Sequence, residues 1–415
     1  MKRATLFNLL VLNAYWFGLS FMWNSLHVII LPAVLLNFVP ETLKNTYLGL
    51  LTFVGLIIAM SVQPVSGWLS DRWQSRWGRR RPLMSLGTAL DFIFLAFLAW
   101  AGGLPMLAIG YIGLQFTSNI AHGPAQGLLP DQVPAEQMGA ASGIRNLMDM
   151  AGLIVSSLLI GRLLDPITAD PLKPLLVVAA VLLVGALITI LGVREVPSRV
   201  DSPEKQQPNS PSVRGALLRD MRSALGYGTY PRLLASRFMF LLGIYDIQVF
   251  AQYYIRDVIA TDNPVKLTGD LLAAITLALV VCALAAGWLG DRLGHRKVQY
   301  AGSTIGMLGS LLLLLARTPQ TLMIFGGILG VGIGLFLTSN WALVNRLAPV
   351  AEAGVFLGLT NLATAGSGAV GRLLGPVIDL LNNADPGVYA GYSALFIFGA
   401  VCTGASALLL AKVKD

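Results

Sequence analysis

"GWLSDRWQSRWGRRRP" spans residues 67–82, and "GWLGDRLGHRK" spans residues 287–297. The tryptophan, aspartate and arginine recur at an offset of 220, each time at the end of a long apolar run. Other short matches keep the same order. "TSN" at 117–119 returns at 338–340, Asn146-Leu147 returns as Asn361-Leu362, and "GRLL" at 161–164 returns at 371–374, at offsets of 221, 215 and 210. Four matches in one order mark a chain written as two copies of one unit.

Both copies are apolar. Of 415 residues, 55% are hydrophobic and only 12% charged, against about 25% charged in a soluble domain; the mean hydropathy is +0.70. A helix needs roughly 20 apolar residues to cross a hydrocarbon core of about 30 Å. Twelve stretches meet that length, at 8–36, 47–70, 83–100, 105–128, 139–161, 174–193, 233–256, 268–290, 298–316, 320–345, 353–378 and 388–411. The expected fold is an all-α membrane protein, with twelve transmembrane helices in two pseudo-symmetric six-helix bundles. Residues 1–193 form the first bundle, 194–232 a cytoplasmic linker and 233–415 the second bundle. The linker is first rich in Pro, Ser and Gln, then apolar at Val213, Leu217, Leu218, Met221 and Leu225 between arginines. That pattern predicts a tether carrying an amphipathic helix on the inner membrane surface, with a regulatory role as the alternative. Lys2 and Arg3 precede a first run that has no small-residue cleavage site, so it reads as a retained span.

The formal charge of +8 suggests nucleic acid until its placement is traced. Arg72, Arg76, Arg79, Arg80 and Arg81 follow span 2; Arg194, Arg199, Lys205, Arg214, Arg219 and Arg222 follow span 6; Arg292, Arg296 and Lys297 follow span 8; Lys412 and Lys414 close the chain. All these segments share one side if the spans alternate. The positive-inside rule then makes both termini cytoplasmic, in a plasma (cytoplasmic) membrane of the bacterial inner-membrane kind, and removes the case for nucleic acid. Cys282 and Cys402 fall in different spans and read as packing. No metal-ligand spacing, nucleophile-and-base arrangement or phosphate-cradling loop is legible, so neither a metal, a cofactor nor an enzyme is expected.

The basic turn has a physical use. An aspartate at the end of span 2 can accept hydrogen bonds from the exposed N–H groups at a neighbouring helix N-terminus, and the arginines can pair with acids such as Asp131 and Glu136. Asp71, Arg72, Arg79, Asp131, Asp291 and Arg292 together form a candidate latch, one that opens as the two halves move and so sets the balance between two conformations. The first copy carries four residues more than the second between aspartate and glycine, about one helical turn.

The run G-x-x-x-D-R followed by a glycine and basic residues, which both halves carry, resembles the signature G-x-x-x-D-R-x-G-R-[RK] of the major facilitator superfamily. The longer form "QPVSGWLSDRWQSRWGRRRP" at 63–82 is similar to that of the sucrose-type proton symporters and of the related glycoside–pentoside–hexuronide cation symporters. The resemblance implies the major facilitator fold, a monomer, a cavity lined by spans 1, 4, 7 and 10, and transport by rocking of two bundles. It also implies that Arg145, in "RNLMDMAG" at 145–152, contacts a sugar, and that His122, in "HGPAQGLLP" at 122–130, stands where the melibiose branch has a sugar-binding aspartate. The positions that match that branch's sodium-binding carboxylates are Ala59 and Gln63, and Gln115 and Gln126 replace the charged pair on span 4 of sucrose-type symporters.

Polar groups inside the spans are the site candidates, since an ionisable group there costs roughly 2.5–3.5 kcal/mol on insertion scales. In span 4, Gln115, Asn119, His122 and Gln126 are spaced 4, 3 and 4 apart, one polar stripe on an apolar helix. Span 1 places Ser20, Asn24 and His27 on one stripe with Trp23 beside it. An indole can stack on a sugar's apolar face while amides bond hydroxyls, although lipid or interhelix packing explains Trp23 equally well. Arg145 and Asp149 lie one turn apart on span 5; they read either as a self-contained ion pair or as a substrate arginine beside a proton-carrying acid. Thr338, Trp341 and Asn345 repeat the theme on span 10. Asp246 and then Asp149 are the first choices for proton coupling, and Asp91 reads as a structural partner. Arg162 and Arg372 read as structural pairs of Asp165 and Asp379.

The expected function is alternating-access, proton-coupled symport of a neutral, hydroxyl-rich small molecule such as a sugar or glycoside. The partners are therefore the solute, protons and the lipid bilayer. The alternative is proton-driven export of drugs or other amphiphiles, and a channel is the rival from another class.

Overall fold

The computed structural model describes residues 3–193, 195, 225–347 and 353–411. Twelve long helices run through them: α1 (Leu6–Leu35), α2 (Lys44–Arg72), α3 (Arg81–Ala99), α4 (Leu104–Gln132), α5 (Met138–Leu163), α6 (Leu172–Gly192), α7 (Tyr230–Ile259), α8 (Pro264–Leu293), α9 (His295–Leu313), α10 (Pro319–Leu347), α11 (Ala353–Arg372) and α12 (Ala390–Ala411). Each begins within a few residues of a stretch chosen on length and apolarity. Prolines mark several starts, with Pro82, Pro105 and Pro231 in the first turn, where a missing N–H costs nothing. Thr5 caps α1 by accepting a bond from the Asn8 N–H.

Nine of the helices are long and apolar enough to cross a membrane by length and composition. The three that fall short are α4, α9 and α11, which carry the polar stripe, a His-Arg-Lys start, and a run of Gly, Thr and Ser respectively. One expected span differs: the stretch 353–378 stops at Arg372, and a short helix, Gly375–Ala384, restarts after it. Pro376 explains the break, because it lacks an N–H and disfavours helical geometry in the residue before it. The amphipathic helix expected within 194–232 lies outside the described residues.

The chain forms two compact units, Met1–Asp201 with Asp262–Ala273, and Ser202–Thr261 with Ala274–Asp415. Within the first, α1 packs on α5 and α6, α4 packs on α2 and α3, and α3 touches α6. Within the second, α7 packs on α11 and α12, α10 on α9, and α9 on α12. The repeat seen in the sequence is therefore a repeat of helix packing. Small residues let the equivalent pairs meet closely: Gly18 lies against Leu182, and Gly243 lies against the backbone of Gly399.

α1 and α7 share another feature. Each widens into a π-helical segment, Ser25–Ile30 and Ile255–Ile259. His27 sits in the first of these, so the wider turn helps to aim its ring.

The basic turn of the first unit is an ion-pair network. The Arg79 Nη2 lies 2.5 Å and the Arg80 Nε 2.8 Å from the two oxygens of Asp131 at the end of α4, while the Arg80 Nη1 lies 2.6 Å from Asp71 at the end of α2. The Arg80 guanidinium is held above its usual pKa: burial disfavours the charge, but Asp131 and Asp71 together outweigh it. Asp71 does not cap a helix. The N-terminus of α3 is instead capped by Glu195, whose carboxylate accepts from the Arg80 and Arg81 N–H groups at 2.9 and 3.1 Å. Arg81 in turn donates to the Ile190 carbonyl at the end of α6, so the ends of α3 and α6 cap one another. Glu136 is exposed and outside this network.

Arg72 and Arg292 take a different place from the one expected of latch arginines. Each guanidinium lies 4.1 Å from the ring centre of the tryptophan one turn earlier, Trp68 and Trp288. Arg162 also departs from expectation. It pairs with Asp270 at 2.7 Å, because Asp165 is committed to the Ile167 and Thr168 N–H groups of its own turn.

Candidate functional site

In the first unit the two predicted stripes meet. The His27 Nε2 lies 2.8 Å from the Tyr111 hydroxyl and 3.2 Å from the Gln115 Nε2, which itself donates to Tyr111 at 2.8 Å. These contacts are satisfied together when the His27 Nε2 is the acceptor of both neighbours. Trp23 stacks on His27 with ring centres 5.0 Å apart. Asn119 donates to the Gln115 carbonyl at 2.7 Å, and Asn24 donates to the Ser20 carbonyl and hydroxyl. The Ser20 hydroxyl reaches the Asp149 carbonyl at 2.7 Å, tying α1 to α5.

A second group lies further along the same helices. The Arg145 guanidinium sits 3.6 Å from the Trp16 ring centre, Trp16 meets His122 edge to face at 5.1 Å, and His122 lies 3.2 Å from Gln126. Arg145 and Asp149 do not close the self-contained ion pair that their spacing allowed. The guanidinium is held by an indole face instead, a contact worth about 2 kcal/mol or more when desolvated.

Asp91 is fully buried and accepts from the Thr117 hydroxyl at 2.5 Å, which fits its reading as a partner between α3 and α4. Asp246 is fully buried in α7 against Gly371 of α11. Its Oδ1 accepts from the Ile247 N–H and its Oδ2 has no partner. In α10, Trp341 lies beneath Arg237, with 4.7 Å from guanidinium to ring centre, while Asn345 is exposed.

Three of the gathered residues lie outside the predicted set. Trp16 continues the stripe of Ser20, Trp23 and His27, and Tyr111 continues that of Gln115 and Asn119, so both could have been found by extending each stripe one turn backward. Arg237 is almost fully buried, although it stands near the start of its span where cations usually reach for water. Its partner Asn340 ends the second "TSN", and that recurrence was the available signal.

A family model described as MFS/sugar transport protein matches residues 16–410. The multi-drug resistance efflux pump PmrA of Streptococcus pneumoniae is 24% identical over 97% of this chain and 98% of its own. The multidrug resistance protein MdtG of Enterobacter lignolyticus is 24% identical over 87% of this chain and 82% of its own. Among solved structures, a D-xylose-proton symporter superposes with a TM-score of 0.73 at 15% identity, covering 98% of both chains. The nucleoside transporter NupG superposes with a TM-score of 0.70 at 16% identity, over 98% of this chain and 99% of its own.

Proposed function

Since the chain belongs to the MFS/sugar transport protein family, and is thus a multi-pass membrane transporter of small molecules rather than an enzyme, we propose that it carries a sugar or glycoside together with protons by alternating access. The observation that carries this reading is the cluster of Trp23, His27, Tyr111, Gln115 and Asn119. It offers an indole face, a phenol, an imidazole and two amides. Such a set suits ring hydroxyls and an apolar sugar face. Asn24, His122, Gln126 and Arg145 in the first unit and Trp341 and Asn345 in the second complete the groups assigned to the solute.

Asp246 and Asp149 are assigned to the proton. The protein acts as a monomer in the plasma membrane with both termini cytoplasmic, its bundles 1–193 and 233–415 joined by the linker 194–232. The network of Asp71, Arg79, Arg80 and Asp131 is assigned to the latch in the first copy and Asp291 to its counterpart in the second, with Arg72 and Arg292, which lie against tryptophans, outside the ion pairs.

A second reading, proton-driven export of drugs or amphiphiles, is favoured by the similarity to a multi-drug resistance efflux pump and to a multidrug resistance protein. The two readings separate in proteoliposomes. An inward proton gradient should drive accumulation of a labelled sugar, and an uncoupler should abolish it; uptake indifferent to both would reject symport. Asp246→Asn should remove accumulation and leave counterflow intact, and undiminished accumulation would move the proton to Asp149.

A further inference from the structure

Arg237 of α7 is 3% exposed. Its Nε donates to the Thr364 hydroxyl of α11 at 2.9 Å and its Nη1 to the Asn340 Oδ1 of α10 at 2.6 Å, while its plane lies over Trp341. Every one of these partners is neutral. Arg237 joins no ion pair among the described residues, and its Nη2 donates to no protein atom without being shut away from solvent. Asn340 is itself fully buried, and with Oδ1 facing Arg237 its Nδ2 has no acceptor.

The second unit therefore gathers a guanidinium and an amide on two helices with too few acceptors for them, since the Thr364 hydroxyl donates to the Thr360 carbonyl. A buried cation without a counter-charge is costly, by several kcal/mol per ion, and a buried N–H without an acceptor adds about 1–3 kcal/mol. One ligand chemistry relieves the first deficit, an oxyanion that takes the open edge of the guanidinium, while the enclosed Asn340 holds that guanidinium in place through its Oδ1. The first unit holds the same motif in outline, since Arg145 lies over Trp16 and closes no salt bridge among the described residues.

We propose that Arg237, held in place by Asn340, Thr364 and Trp341, forms an anion subsite that takes a carboxylate of the carried solute. This rests on the sugar reading above and sharpens it from a neutral solute to a hydroxylated acid. It also sets the sign of charge that the transporter accepts, one opposite to that of cationic drugs.

The test is binding to the purified full chain, read by quenching of tryptophan fluorescence. Two matched sugar pairs, D-gluconate against D-glucitol and D-glucuronate against D-glucose, differ by a carboxylate in place of a hydroxymethyl group. A third pair, 1-naphthoate against 1-naphthylmethylammonium, repeats the contrast of charge on an amphiphile. At least one acid of the sugar pairs should bind about tenfold or more tighter than its neutral partner. Arg237→Gln should erase that preference, and Arg237→Lys should keep part of it. Asn340→Asp, which supplies a carboxylate beside Arg237, should erase it too and guards against misfolding of the glutamine variant. Acid and neutral sugars binding equally, or a preference that survives Arg237→Gln, would overturn the anion subsite and leave sugar transport standing. Failure of both sugar pairs, with naphthoate bound in an Arg237-dependent way, would overturn the sugar reading and leave the anion subsite standing.

Discussion

The two basic turns share a tryptophan, an aspartate, an arginine and a glycine with positive φ, yet they are built to different strengths. In the first, Gly78 at φ +93° leads into three consecutive arginines, and these engage the ends of three other helices, through Asp71, Asp131 and Ile190. In the second, Gly294 at φ +94° leads into His295, whose Nε2 stands 3.4 Å from an Asp291 that is largely exposed. Arg296 follows and donates to the Leu410 and Ala411 carbonyls at the end of α12, as Arg81 does at the end of α6. Helix-end capping by an arginine is thus common to both copies, and among the described residues the carboxylate network is found in the first.

The largest effect that would break this comparison is expected from Asp131→Asn. It removes the shared partner of Arg79 and Arg80, where charge-assisted hydrogen bonds contribute about 1.5–3 kcal/mol each. It should lower the thermal midpoint of the purified protein clearly more than Asp291→Asn; equal shifts would show that the first network carries no extra weight. Gly78→Ala comes next, at about 1–3 kcal/mol for a side chain forced to this φ, with an added collision with the Glu195 carboxylate. Its midpoint should fall further than that of Gly294→Ala, and the collision with Glu195 should be relieved when Glu195→Gly, which removes the Cβ as well, is added. Glu195→Ala alone strips the cap from α3 and should cost about 1 kcal/mol, a loss that high salt makes smaller. The smallest effects should come from Arg72→Ala and Arg292→Ala. Each loses one exposed cation–π contact worth about 0.5–1 kcal/mol, and the two should match.

Much of the fold was legible because a membrane forces the signal. Apolar length marks the spans, and the order of short repeats marks the two copies. The site was legible where chemistry follows helical spacing, as in the stripe from Gln115 to Gln126. It was hidden where partners come from distant helices: Arg237 meets Asn340 and Thr364 across more than a hundred residues, and no local pattern announces that. Glu195 was hidden for the same reason, since a single glutamate at a linker start looks solvated until the turn it caps is folded against it. Asp71 shows the converse. Its position at a helix end suggested a cap, but a nearby guanidinium is the stronger partner for a carboxylate, and Arg80 claims it.

The proposed transport cycle moves solute and proton together. The direct measurement is proton movement in de-energised proteoliposomes, with a pH indicator on the side to which solute is added and potassium with valinomycin clamping the potential. Addition of a carried sugar or sugar acid should make that side alkaline at a rate that follows the labelled solute in fixed ratio, and Asp246→Asn should leave solute exchange while abolishing the pH signal. Solute entry with no pH change in the unmodified protein would contradict proton coupling outright.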